Sequence, residues 1–192
     1  MTDNSGMNNE IKVLDGKPFL SDITQLRERA RKHIENGAVT SGYRADQKIV
    51  IKVLNEALAT EIICVLRYKR HHYMAKGIHA QSVAAEFAQH AVEEQAHADL
   101  IAERIVQLGG APNFSPEGLA TRSHSEYMEG NDLTEMICED LIAERIAIDS
   151  YGEIIRYIGN NDPTTRVMLE GILAKEEEHA DDLSSLLKAK EL

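Results

Sequence analysis

The segment ILAKEEEHADDL, residues 172–183, places Glu176 three positions before His179. The segment AVEEQAHADLIAERI, residues 91–105, repeats that spacing at Glu94 and His97. Both are rich in Ala, Leu, Ile and Glu, residues that favour helices. On a helix, positions i and i+3 share a face, so each pair presents one carboxylate and one imidazole in the same direction. Transition metals accept both ligand types. A Glu-x-x-His pair is an ordinary event in so Glu-rich a chain, so the argument rests on where the pairs sit.

Both pairs lie inside long helical patterns, and the chain carries four of them. The spacing predicts helices over 45–76, 81–108, 132–158 and 163–190. Their inward stripes run Val50, Leu54, Ala57, Glu61, Val65, Tyr68, His72; then Val83, Phe87, His90, Glu94, His97, Ile101, Leu108. The third and fourth run Leu133, Ile137, Leu141, Glu144, Ile148, Tyr151, Ile155; then Leu169, Ile172, Glu176, His179, Leu183, Leu186. Apolar spacings of three and four are those of bundle cores. Gly77, Gly109-Gly110 and Gly159 stop helices, whereas Asp132 with Glu135, and Asp162-Pro163, start them.

The connections select the topology. The first and second helices are joined by a few residues, as are the third and fourth, so each pair is an antiparallel hairpin. The middle link, 109–131, is long enough to run the length of the bundle. The expected fold is therefore all-α: a four-helix bundle of two hairpins with one long crossover. Ahead of it, residues 1–44 read as a tail (1–18) and a short amphipathic helix over roughly 22–36. Ser21 is its expected cap and Gly37 its stop, and its few apolar positions, Ile23, Leu26, Ala30 and Ile34, should pack on something larger. The bundle occupies 45–192.

Each stripe is interrupted by acid near its midpoint: Glu61 in the first helix, Glu94 with His97 in the second, Glu144 in the third, Glu176 with His179 in the fourth. Helices of similar length packed side by side bring all six side chains into one central layer. Buried carboxylates are costly unless compensated, and no Lys or Arg falls on the inward stripes at this level. Protons or bound cations remain. Four carboxylates and two imidazoles make a ligand set for two divalent metals, each with one His and shared carboxylates. Oxygen with some nitrogen suits Fe or Mn, and Zn can also occupy it. The plain alternative turns one or more of these acids to the surface and leaves the bundle a scaffold.

Near the six, Asp140 lies one turn before Glu144 and could accept from an imidazole N–H. Tyr68 and Tyr151 lie two turns after Glu61 and Glu144 and either hydrogen-bond a ligand or are core aromatics. His90 reads first as a core or rim histidine, and only second as a ligand on the way in. His71, His72, His79 and His124 carry no pattern. Cys64 and Cys138 fall on the same axial side of the layer, a possible redox pair, although two unpaired buried thiols are the simpler reading.

Composition narrows the function. Net charge is −11, and phosphate binding needs clustered Lys and Arg. RERARKH, residues 27–33, is one basic stretch in an N-terminal region, 1–46, whose seven basic and seven acidic side chains balance. DNA binding is not expected. No apolar run is long enough for a membrane span, the first residues have no apolar signal segment, and two cysteines make no disulfide framework. A cytoplasmic protein is expected.

LNEALATEIICVLRY (54–68), EEQAHADLIAERIVQLGGAPN (93–113), DLIAER (140–145) and EEEHADDL (176–183) resemble bacterioferritin and the wider ferritin and Dps-like superfamily. The resemblance covers about residues 45–190. It implies a di-iron ferroxidase centre with Glu61, Glu94, His97, Glu144, Glu176 and His179 as metal ligands and catalytic residues, with Tyr68 and Asp140 beside it. Bacterioferritins bind haem through a Met after the second-helix Glu; here that position is Gln95, so haem is not expected. Only 13 residues follow His179, too few for the fifth helix of 24-subunit cages, so a dodecamer is favoured. The N-terminal extension, the intra-subunit site and the two cysteines resemble the Dps-like thioferritin group. The resemblance thus implies a homo-oligomeric cage that oxidises Fe(II) with H2O2 or O2, stores the product and serves against oxidative stress. The alternative is a discrete di-metal redox enzyme of the rubrerythrin or manganese-catalase kind.

Overall fold

The structure is a computed structural model, and it describes residues 22–77 and 80–190. The chain divides into two units, Met1–Gly42 and Tyr43–Leu192. The first contains helix α1, Ile23–Ala30, capped by Asp22, whose Oδ1 accepts from Thr24 N at 2.9 Å and Gln25 N at 3.2 Å. Ser21, the expected cap, and the segment 1–18 lie outside the described residues. The expected helix over 22–36 ends early: His33 takes a left-handed φ of 53°, and a single 3-10 turn, Ile34–Asn36, follows. The reason is physical. None of the residues of α1 is buried, and a helix this short has little to sustain it without packing.

The second unit is built on four long helices: α2 (Gln47–Met74), α3 (Ala80–Gln107), α5 (Leu133–Ile158) and α6 (Pro163–Lys190). Asp46 caps α2 through Lys48 N and Ile49 N. Asp132 caps α5 through Thr134 N and Glu135 N. The Glu135 carboxylate reaches back one residue further than a capping box requires, accepting from Asn131 N at 2.8 Å. Asp162 caps α6 through Thr165 N at 3.0 Å.

α2 pairs with α3 and α5 with α6, while α2·α5 and α3·α6 complete the ring of neighbours. The cross-helix bonds give the directions. Arg67, Tyr68 and Glu61 on α2 meet Asp140, Glu144 and Tyr151 on α5, so the two run antiparallel. Arg104, His97 and Glu94 on α3 meet Thr165, Glu176 and His179 on α6, again antiparallel. The link after α3 travels beside α2: Asn55 bonds Ala111 O and Asn113 N, Thr60 bonds His124 N, and Arg67 bonds Glu126 O. It carries one short helix, α4 (Leu119–Arg122), that its Pro- and Gly-rich sequence did not suggest. Gly130 then turns the chain into α5 at φ 61°, where a Cβ would stand 2.8 Å from Met136 N. This is the long crossover the sequence implies.

The inward faces of α3 and α6 follow the expected stripes, save that Leu186 is half-buried. Two faces are turned slightly. On α2 the stripe ends at buried His71, and His72 is only half-buried. On α5 the buried line is Asp140, Glu144, Ala147, Tyr151, Ile154 and Ile158, leaving Leu141, Ile148 and Ile155 half-buried. Apolar side chains close the core toward one end, where Cys64, Tyr68, Val83, Phe87, Met136, Ile137 and Leu183 cluster. The polar layer sits next to them.

Candidate metal centre

Each of the four long helices contributes to one buried polar layer. Glu61, Glu94, Glu144, Glu176 and His179 are at most 1% exposed, and His97 is 7% exposed. The surface alternative for these acids is therefore excluded. Glu61, Glu94, His97 and Glu176 bring one ligand atom each to within 4.8 Å of one another, and so do Glu94, Glu144, Glu176 and His179. Glu94 and Glu176 belong to both sets.

Both imidazoles turn Nδ1 inward. His97 Nδ1 lies 2.8 Å from Glu176 Oε1, 3.4 Å from Glu61 Oε2 and 3.7 Å from Glu94 Oε2. His179 Nδ1 lies 3.1 Å from Glu94 Oε1, 3.6 Å from Glu176 Oε2 and 3.9 Å from Glu144 Oε2. Its Nε2 faces Glu93 Oε2 at 2.6 Å, which fixes the ring as a second-layer acid fixes a metal-bound imidazole. Glu93 escaped the sequence reading because it neighbours Glu94 and looks outward on the helix wheel.

The tyrosines are crossed between hairpins. Tyr68 donates to Glu144, and Tyr151 donates to Glu61. Each phenol lies two turns from the glutamate of its own helix and holds the glutamate of the other, so the two hairpins are related by an approximate two-fold arrangement.

Five buried atoms in this layer make no hydrogen bond: Glu61 Oε2, His97 Nδ1, Glu144 Oε2 and both Glu176 oxygens. Burial, with the neighbouring Glu94 charge, pushes the Glu61 carboxyl up to about 8 and raises Glu144 well above its ordinary value. Burial favours neutral imidazoles, but the acids around them, Glu176 first, hold His97 up at about 12 and His179 up at about 10. Burial and Glu61 also press on Glu176, yet His179 and His97 keep it below its ordinary value. With side chains alone, protons must supply the positive charge here. Two divalent cations supply it better: four carboxylates with two neutral imidazoles match their charge, and the orphaned atoms are the ligands they need. The donor set fits a pair of such cations.

Other expected residues fall differently. Asp140 does accept from an imidazole, but from His71 Nδ1 at 2.8 Å and not from His97 or His179. It also accepts from Arg67 Nε at 2.8 Å. Arg67 is fully buried, to one side of the central layer. Its signal was hidden because it lies one position off the α2 stripe. Cys64 and Cys138 are both free thiols. Cys64 is buried beside Ser125 and Arg67, at 3.8 Å and 3.5 Å, while Cys138 is half-buried, so only one matches the expectation of buried thiols. Gln95 is exposed and donates to Asp99. His90 is buried and stacks on His179 at 4.0 Å, and burial pushes its pKa down to about 4. Among the described residues, no helix is long and apolar enough to cross a membrane.

Residues 51–192 match the model of the ferritin-like domain. A bacterioferritin of Desulfovibrio desulfuricans is 30% identical over 141 residues, covering 72% of this chain and 75% of that protein. The dodecameric thioferritin of Bacteroides fragilis, a bacterioferritin-related protein, superposes with a TM-score of 0.74 at 34% identity, covering 76% of this chain and 88% of that one. A ferritin-like, diiron-carboxylate protein of Bacillus anthracis superposes at 0.67 and 30% identity, covering 74% and 98%. By fold and by a match across most of its length, the chain belongs to the ferritin family.

Proposed function

We propose that the protein is an iron-storage ferroxidase whose dinuclear centre lies within a single bundle. The observation that carries this reading is the pair of four-residue ligand sets joined through Glu94 and Glu176. Fe(II) is the substrate: two ions bind side by side, one at Glu61 and His97, the other at Glu144 and His179, with Glu94 and Glu176 between them. The ions give up one electron each. H2O2 accepts both, with two protons, to yield two waters; O2, accepting both electrons and two protons, yields H2O2. Pairing the ions makes the two-electron step possible without releasing a radical. Tyr68 and Tyr151 hold Glu144 and Glu61 in place, and Glu93 holds His179. Carboxylates keep Fe(III) soluble only while it is bound, so the product passes on to mineral in a cavity enclosed by copies of the chain. Exposed apolar side chains on the outer helix faces, Leu66, Leu100 and Ile142 among them, suit such an assembly. A dodecamer is the proposed cage, working in the cytoplasm without haem.

The test is anaerobic Fe(II) addition followed by oxidant, together with native mass. Two tightly bound Fe(II) per chain, oxidised together, are expected, in a particle of about twelve chains that goes on to retain many more. A small oligomer that turns over peroxide and retains no more than its own two metals would replace this reading with a discrete di-metal redox enzyme.

A further inference from the structure

Away from the central layer, the end of α2, the last residues of the crossover and the start of α5 form the walls of an open cavity of about 760 Å³. Small-molecule pockets have this size, roughly 300–1,000 Å³. Its apolar wall is rich in methionine. Met74, Met128 and Met136 line it together with Tyr127, and they are three of the four methionines among the described residues. Met136 is buried, whereas Met74, Met128 and Tyr127 are left 42%, 43% and 38% exposed. Thioether side chains are unbranched and polarizable, and they re-pack around apolar groups of varied shape.

Most polar side chains around the cavity are already engaged. Arg70 Nη2 lies 2.6 Å from Glu129 Oε2, so that charge is matched. Asp132 accepts from Thr134 N and Glu135 N as the cap of α5. Asn131 donates to Glu135. Two groups differ. Among the described residues, neither the Lys76 ammonium nor the Tyr127 hydroxyl has an ion pair or a hydrogen bond. Both can donate, and one is a cation. The free polar side of the cavity therefore suits an acceptor that carries negative charge, set beside an apolar wall.

We propose that this cavity binds a small amphipathic organic anion. Its apolar body, aromatic or aliphatic, lies against Met74, Met128 and Met136, and its carboxylate or sulfonate is held by Lys76 with Tyr127. The anion supplies the charge that Lys76 lacks, and its body covers the thioethers that the chain leaves in water. A ligand here touches α2, the crossover and α5 at once, so its binding holds them together and raises the melting temperature. The site does not depend on the function proposed above. Met74 lies 13 residues beyond Glu61 on α2, about 20 Å along the helix axis.

The test titrates two fluorescent probes into the intact native assembly: anilinonaphthalene sulfonate, and phenylnaphthylamine, which has a similar aromatic body and no charge. The sulfonate should bind at one site per chain and raise the melting temperature. Lys76→Glu should weaken the sulfonate about tenfold, remove most of its thermal shift and leave the uncharged amine unaffected. Met74→Ala/Met128→Ala should weaken both probes. These side chains are exposed, so the fold is not at stake. The proposal is overturned if Lys76→Glu binds the sulfonate as the parent does, or if the methionine variant keeps both affinities. It is also overturned if the assembly binds neither probe while dissociated chains bind both, because a second copy of the chain then fills the cavity.

Discussion

The bundle buries charge in two ways. On one side of the central layer, Asp140 is met by Arg67 Nε and His71 Nδ1, both at 2.8 Å, and all three side chains are fully buried. Toward the other end, Asp162 accepts from Arg104 at 2.9 Å and 3.1 Å, from Thr165 and from Tyr43. These acids find their counter-charge and donors within the chain. The central layer between them has four carboxylates, two imidazoles and five atoms with no hydrogen bond. The same fold satisfies its buried acids completely at two levels and leaves the third open. A sequence able to place Arg67 and Arg104 inside was able to place a cation there as well. On the function proposed above, the unpaired atoms of the open layer are ligands for metal ions.

Removing an acid from each kind of site should therefore have opposite consequences. Asp140→Asn leaves a buried guanidinium without its charge partner and should cost about 3–5 kcal/mol, read as a fall in the urea midpoint of the metal-free protein. Arg67→Met combined with it should restore much of that loss. Glu94→Gln should leave metal-free stability unchanged or raise it, because the Glu94 charge presses on both Glu61 and Glu144. It should nevertheless slow Fe(II) oxidation by more than about 100-fold, beyond what is usual for losing a residue that merely supports a ligand. If Glu94→Gln destabilises the metal-free protein as severely as Asp140→Asn, the distinction between the two kinds of site is wrong.

The contrast also separates what the sequence reveals from what it hides. The six central residues are legible because each interrupts an apolar stripe near the midpoint of its helix, and helix length alone puts them in register. The crossover is legible from the length of 109–131. Contacts between residues far apart in the chain are not. Arg67 finds Asp140 across 73 positions, and Tyr68 finds Glu144 across 76, so neither pairing has a local signature. The choice of His71 over His72 as the buried histidine turns on one residue of helical phase, which packing decides. The end of α1 at Ala30 depends on how little that helix buries, a property that no pattern within 22–36 displays.

A smaller effect probes how the open layer is supported. Glu93→Gln removes the acid that holds His179 Nε2 at 2.6 Å, while leaving every proposed ligand in place. Metal binding at the Glu144 and His179 half should weaken about 10- to 100-fold, with the Glu61 and His97 half little changed. Equal weakening of both halves in a metal titration would mean that Glu93 acts through general charge and not by orienting one ring.

The smallest expected effect is on pH, and its sign is set by the protons the layer holds. Glu61 rises from an ordinary 4.5 to about 8, so the folded metal-free chain keeps a proton there that the unfolded chain has lost. The support that protonated His97 and His179 give is complete below their ordinary 6.5 and lost as pH rises through about 10 and 12. Both kinds of group make the metal-free fold weaken as pH rises. Cation binding runs the other way, because each ion must displace those protons, so its apparent affinity gains about tenfold per pH unit for each proton released. The gap in melting temperature between zinc-loaded and chelator-treated protein should thus widen from about pH 6 to about pH 8. The acids at Asp140 and Asp162 have their partners with or without metal, so they contribute to both curves alike. A gap that narrows over this range would mean that the open layer holds no exchangeable protons, and that its carboxylates are compensated as fully as Asp140 is.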